Sequence, residues 1–352
     1  DRRDDHRPAM SPSHLEREIR EQPDAVRAAL RSAGPAADAL AARLRERGPL
    51  EQVLIAARGT SDNAARYAQY LVGARLGVPV ALAAPSLASQ YGAPVVPRGA
   101  RALVLAISQS GRSPDVVGVV ESARAAGVPT AAITNDPASP LAGAADAVLD
   151  LAVGVERSVA ATKTYTASLA VVARLIGALG GDDRLARLDG VPERMAQAID
   201  LATAHVPALD AHYGTRHLVV VGRGYHYATA MEIALKVREL TGIIGEGFSP
   251  PDLLHGPIAA VARGTPALLV APSGAVRASV LEAGAALADR GAVTIRLDDA
   301  PDADLPLPAG VPEELSPLVA VIPGQVLALR WAQLRGAPID APPGLTKVTE
   351  TR

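Results

Sequence analysis

The 352-residue chain has no cysteine, which excludes disulfides, thiolate metal sites and a cysteine nucleophile. Trp and Phe are nearly absent: one of each accompanies a hydrophobic content of 49%. The core therefore has to be assembled from Ala, Val, Leu and Ile, as in parallel sheets covered on both faces. Neither sign of charge is in large excess. A formal net charge of −2 gives no basic surface for nucleic acid or an anionic membrane, and neither is expected as a partner. Asp1 to Met10 are charged and lack an apolar run, so they read as a tail rather than a signal peptide or membrane span, and a cytoplasmic setting is expected.

Lysine is scarce as well. Of 35 basic residues only Lys163, Lys236 and Lys347 are lysines. Codon bias accounts for arginine over the surface. The three exceptions still draw interest, because an ammonium is a compact titratable charge and a guanidinium a permanently charged fork.

The length suits two α/β units or one duplicated unit. Ser13 and Glu16 stand at capping-box spacing, and Leu15, Ile19, Val26 and Leu30 follow at helical intervals. This suggests a helical arm over residues 11–31, broken near Pro23. Apolar runs at 53–57, 103–107 and 130–133 then end in Arg58-Gly59-Thr60-Ser61, Ser108-Gln109-Ser110-Gly111 and Thr134-Asn135-Asp136, with helical stretches between them. Such alternation predicts a parallel sheet with right-handed crossovers. The pattern returns at 218–221, 267–271 and 294–297. Arg58 to Arg223, Ser110 to Ser273 and Thr130 to Thr294 are 165, 163 and 164 residues apart, which points to a duplication. The expected division is a tail and arm over 1–48, a first domain over 49–190, a linking helix over 191–213, a second domain over 214–340 and a tail over 341–352.

Chemistry-bearing residues cluster at the strand ends. Ser108, Gln109, Ser110 and Ser113 precede Pro114 and Asp115, so a helix opening there would offer backbone N–H groups, hydroxyls and an amide to an anion. An ordinary capped turn fits the same residues. Thr60, Ser61 and the segment Ser158 to Thr162 add small donors, and ligands of open α/β sheets sit beyond the carboxyl ends of strands. Lys163 is either a cation behind such a site or a helix-surface charge. Between Ala228 and Leu240, Glu232, Lys236 and Glu239 are spaced i, i+4 and i+7 and share one helical stripe, suited to general acid/base work or to a surface ion pair. His255, in the turn Leu254-His255-Gly256-Pro257, can move protons near neutral pH. Lys347 follows the rigid Pro342-Pro343-Gly344 and suits a tail that closes over a site. No metal-ligand spacing, Walker loop, dinucleotide fingerprint or nucleophile elbow is present, so neither a metal nor a cofactor is expected.

Arg58 to Asn63, Ser108 to Asp115, Glu156 to Thr164, Glu232 to Glu239, Leu254 to Pro257 and the Lys347 tail, in this order, resemble the sugar-isomerase (SIS) domain family. The resemblance is specifically to the isomerase half of glutamine:fructose-6-phosphate amidotransferase and its glutaminase-free relatives. It runs from about Glu18 and implies two tandem SIS domains, each a flavodoxin-like, three-layer α/β/α unit with a parallel sheet flanked by helices. It further implies that Ser108, Gln109, Ser110 and Ser113 hold a phosphate and that Ser61, Val159 and Ala161 line the substrate. Glu239 is implied as the base moving a proton between C1 and C2, with Glu232 and Lys236 as its partners and Lys347 reaching in from the tail. His255 matches the ring-opening histidine that relatives supply from a neighbouring subunit, which implies a homodimer with a shared site. The amidotransferases draw ammonia from glutamine with a cysteine nucleophile, and this chain has no cysteine. The Gly111 to Asp115 segment and the tail look more like the glutaminase-free deaminases, whereas Ala161 stands where many amidotransferases carry serine.

The leading expectation is therefore a glucosamine-6-phosphate deaminase acting on an amino-sugar phosphate. Alternatives are a lyase acting on N-acetylglucosamine 6-phosphate, a fructosamine-phosphate deglycase, a phosphosugar aldose-ketose isomerase and, outside catalysis, a phosphosugar sensor.

Overall fold

The computed structural model describes residues 12–347, so the tail read at Asp1 to Met10 and the last five residues lie outside it. The first half comprises α1 (His14–Glu46), β1 (Gln52–Ala56), α2 (Thr60–Leu76), β2 (Val80–Leu82), α3 (Ser86–Ser89), β3 (Ala102–Ile107), α4 (Pro114–Ala125), β4 (Thr130–Thr134), α5 (Pro140–Ala144), β5 (Ala147–Asp150), α6 (Lys163–Gly180) and α7 (Asp183–Arg187). A connecting helix α8 (Val191–His205) runs on into a 3-10 turn over Val206–His212. The second half comprises β6 (His217–Val221), α9 (Tyr225–Thr241), β7 (Ile244–Phe248), α10 (Pro250–Leu254), β8 (Pro266–Val270), α11 (Arg277–Asp289), β9 (Val293–Asp298), β10 (Leu305–Pro306) and α12 (Pro317–Leu334).

Both sheets are five-stranded and wholly parallel, with orders β2-β1-β3-β4-β5 and β7-β6-β8-β9-β10. The second order repeats the first strand for strand. The repeat extends to fine detail, since α2 and α9 each have 17 residues. Each starts after a glycine in the same unusual backbone state, φ 56° and ψ −131° at Gly59 and φ 60° and ψ −130° at Gly224, and each ends on a left-handed glycine, Gly77 or Gly242.

Alternation along the strands builds three layers of core. Val53, Ile55, Leu103 and Leu105 of the first sheet and Leu218, Val220, Leu268 and Val270 of the second point into one central cluster. Helices α1, α2, α6, α8, α9 and α12 fill that cluster. The opposite strand faces pack under α4 and α5 in one half and under α10 and α11 in the other. The shared middle layer brings a helix of the second half against the site of the first. It also explains α12, which is apolar enough over its 18 residues to cross a membrane but is 78% buried as a core helix.

One expectation about the arm needs correction. Helix α1 runs unbroken through Pro23 to Glu46. Proline removes the N–H that would bond the Ile19 carbonyl, and the Gln22 side-chain amide takes its place at 3.0 Å while also reaching Gln325 of α12 at 2.8 Å. The N-terminus behaves as its spacing predicts: Ser13 Oγ accepts from the Glu16 N–H at 3.1 Å, and the Asp340 carboxylate accepts from His14 and Leu15 at 2.9 and 3.0 Å.

Candidate active site

In a 2-1-3-4-5 sheet the switch point lies between the first and third strands, where the following loops diverge and leave a crevice. Here the segments after β1 and β3 open on a cavity of about 590 Å³. Its wall contains Thr60, Ser61, Ser108, Gln109, Ser110, Ser113, Val159, Ala161, Lys236, Glu239 and Lys347, eleven residues singled out from the sequence. Five chain segments meet there, two of them from the second half and the tail.

The loop after β3 turns at Gly111, whose φ of 60° favours glycine and where a Cβ would overlap the Ser139 side chain. Ser108 and Ser110 hydroxyls accept from the Gly111 and Arg112 amides at 3.2 and 3.4 Å. Ser113 occupies the N-cap of α4 with Pro114 at the first helical position, as the spacing suggests, but its hydroxyl does not cap the helix. It is buried at the cavity wall and makes no hydrogen bond among the described residues. A helix start without a side-chain cap keeps its N–H groups and positive dipole end available to an anion.

On the far side, Glu232, Lys236 and Glu239 form one graded stripe on α9. Glu232 is fully buried, accepting from Asn63 Nδ2 at 2.8 Å and Thr60 Oγ1 at 3.2 Å. Lys236 is 1% exposed, donates to Thr60 Oγ1 at 3.0 Å, pairs with Glu232 at 3.4 Å and is hydrogen-bonded to Glu239. Glu239 alone of the two carboxylates reaches the cavity wall, and Glu232 lies behind it, paired with Lys236. Burial, helped by the Glu239 charge, pushes Glu232 up to about 7 against the opposing pull of Lys236 and Asn63. For Lys236, burial acts downward, but the two carboxylates outweigh it and raise its pKa, so the ammonium stays charged.

Lys347 enters from the tail, donating to the Ser158 carbonyl at 2.6 Å and pairing with Glu156 at 3.1 Å. Glu156 is the anchor of this wall: it also accepts from Gln109 Nε2 at 3.0 Å, Thr164 Oγ1 at 2.6 Å and the Thr162 and Thr164 amides at 2.9 and 3.2 Å. Sequence reasoning gave it no role. The available signal was that Glu156 is the only carboxylate between Asp150 and Asp182. Arg58, Asp115, Thr164, Tyr165 and Ser168 also line the cavity without having been assigned to it.

Lys163 is not a helix-surface charge. It is buried, pairs with Glu21 of α1 at 2.6 Å and donates to the Val155 carbonyl at 2.9 Å, fastening the arm to the start of α6. All three lysines thus end on carboxylates. Two expected site residues are not on the wall: Glu232, buried behind Lys236, and His255. His255 is exposed and lines a separate crevice of about 310 Å³ with Arg223, Leu254, Ser279 and Glu282.

A doubly wound sheet with a serine-rich helix start at its switch point and a buried acid/base stripe opposite defines a phosphosugar-type α/β site. The SIS domain family profile matches residues 50–178 and 213–329, and the chain belongs to that family. It is 33% identical over 355 residues to the isomerizing glutamine–fructose-6-phosphate aminotransferase of Gloeobacter violaceus, covering 94% of this chain and 57% of that protein. The corresponding enzyme of Methanothermobacter thermautotrophicus is 32% identical over 339 residues, with 94% and 56% covered. The chain therefore spans little more than half the length of these relatives. Among solved structures, a Silicibacter pomeroyi protein provisionally described as a phosphosugar isomerase shares 35% identity with a TM-score of 0.83, covering 94% of this chain and 99% of that one. The C-terminal domain of the Francisella tularensis glucosamine-fructose-6-phosphate aminotransferase shares 27% identity with a TM-score of 0.84, over 94% and 99%.

Proposed function

We propose that the chain is a glucosamine-6-phosphate deaminase. One observation carries the reading: Glu239 reaches the cavity from α9 and is bonded to a buried ammonium, opposite the uncapped, serine-rich start of α4. A phosphate seated on Ser108, Ser110, Ser113 and the first amides of α4 would direct the sugar toward Glu239. His255 of a second copy opens the ring, consistent with its place outside this chain's own cavity. Glu239 then takes the C2 proton of the open aldehyde and returns it to C1, converting the 2-amino aldose to a 2-imino ketose. Lys236 and Lys347 supply positive charge where the intermediate develops negative charge on oxygen. Water adds at C2 and ammonia leaves, giving fructose 6-phosphate. Glu232 and Glu156 position the two ammonium groups.

Incubation with glucosamine 6-phosphate, following ammonia, ketose and ultraviolet absorbance together, tests the reaction. Equimolar ammonia and fructose 6-phosphate are expected, and no unsaturated sugar from the N-acetyl form. Ketose without ammonia, or an unsaturated product, would replace this reading with an isomerase or a lyase. The shared site is tested by mixing Glu239→Gln with His255→Ala protein after subunit exchange. Activity should return in the mixture, because one hybrid site receives both native residues, and a mixture as inactive as its parts would refute the sharing.

A further inference from the structure

The cavity wall carries three cations, and they are not equivalent. Lys236 is 1% exposed between two carboxylates, and the Lys347 side chain, 25% exposed, is taken up by Glu156 and the Ser158 carbonyl. Arg58 is different. Its side chain is 47% exposed, and among the described residues its one side-chain hydrogen bond runs from Nη2 to Asp115 Oδ2 at 2.6 Å. Its backbone is fixed, since the Arg58 carbonyl accepts from the Ser61 and Asp62 amides at 3.1 and 3.3 Å. Asp115, 5% exposed in the first turn of α4, stands two residues beyond Ser113. Arg58 and Ser89 hold its carboxyl below the usual range, so it stays ionised.

An ionised carboxylate in the first turn of a helix whose start receives an anion would repel that anion. The guanidinium cancels that charge. A guanidinium also has five N–H donors in a planar fork, and a carboxylate that occupies one edge leaves others for a second oxyanion. The opposing half lacks this pairing: Arg223 follows β6 at the matching place, but the second residue of α11, which corresponds to Asp115 in α4, is Ala278.

We propose that Arg58, held by Asp115, is a specificity-determining residue that recognises the dianionic phosphate of the sugar, adding a charge-assisted contact to the neutral donors of the Ser108–Ser113 loop. This rests on the phosphosugar reading above. The test compares wild type, Arg58→Gln and Arg58→Lys for calorimetric binding of fructose 6-phosphate and of unphosphorylated fructose, with KM and kcat for glucosamine 6-phosphate. Arg58→Gln should weaken fructose 6-phosphate binding and raise KM about tenfold or more, leave kcat within about twofold, and leave the response to fructose unchanged. Arg58→Lys should recover part of the loss. Unchanged fructose 6-phosphate binding in a folded Arg58→Gln protein would overturn the inference alone. Failure of the wild type to bind any sugar phosphate would overturn the underlying reading instead.

Discussion

The loops Ser108–Ser113 and Pro272–Val276 leave the corresponding strand of two sheets with the same order, yet only the first opens on a large cavity. In the second, the chain answers its own donors. Asp299 accepts from the Ser273 amide and hydroxyl at 2.8 and 3.0 Å, and Glu313 accepts from the Ala275 amide at 3.0 Å. The Glu313 carboxylate lies so close that a Cβ at Gly274 would overlap it, and Arg277 pairs with Asp298 and Asp299 at 3.2 and 3.4 Å. The crevice beside Ser273 retains only about 10 Å³. Carboxylates of the protein stand where an anionic ligand would. Duplication thus copied the sheet and the helix-start geometry into both halves, whereas ligand capacity follows from whether those donors are already satisfied. The second half contributes a helix instead: α9 packs on α2 and delivers Lys236 and Glu239 to the first half's cavity.

If this division of labour holds, changing the second half's helix should disable the first half's site. Lys236→Arg keeps a positive charge but places a longer planar fork in a fully enclosed position, and turnover should fall about a thousandfold with the fold retained by circular dichroism. Near-native turnover would return Lys236 to a structural ion pair.

The next effect concerns stability and separates the stripe from its surroundings by pH. Glu232 has its pKa raised from 4.5 to about 7, mainly by burial. The folded state therefore holds a proton that the unfolded state has released between these values, and the stabilisation present below pH 4.5 is lost as pH rises through 7. The loss is on the order of 3 kcal/mol. In the second half, burial pushes His226, hydrogen-bonded to Ser316 at 2.7 Å, down to about 3, with the opposite consequence that stability falls as pH drops below 6.5. Subtracting wild-type from Glu232→Gln denaturation free energies removes the His226 contribution. The variant should gain on the wild type between pH 5 and pH 8, and a difference that does not vary with pH would contradict the assignment.

The smallest effect compares the two cradles directly. Ser113→Ala should raise KM about tenfold through loss of a donor to the phosphate. Ser273→Ala, which removes only a bond to Asp299, should leave KM unchanged and cost about 1 kcal/mol of stability. Equal KM changes in both would erase the distinction.

Much of this arrangement was legible beforehand. Apolar runs ending in glycine and serine marked β1, β3, β6 and β8, and the constant offset exposed the duplication, because both depend on local spacing. The stripe on α9 followed from helical periodicity, though not the gradient that buries Glu232 and leaves Glu239 at the wall. What escaped depends on partners far apart in the chain. Pro23 lost its breaking power through Gln22 and Gln325, 303 residues apart. Glu156 gained its role by joining Gln109, Thr164 and Lys347, and the Ser113 hydroxyl is buried without capping α4.

Glu239 is the group proposed to move the proton. Glucosamine 6-phosphate turnover and fructose 6-phosphate binding should be measured together for wild type and Glu239→Gln. The expected result is a fall in turnover of about a thousandfold, with binding retained within a few-fold. A Glu239→Gln protein that releases ammonia at the wild-type rate would contradict the central claim.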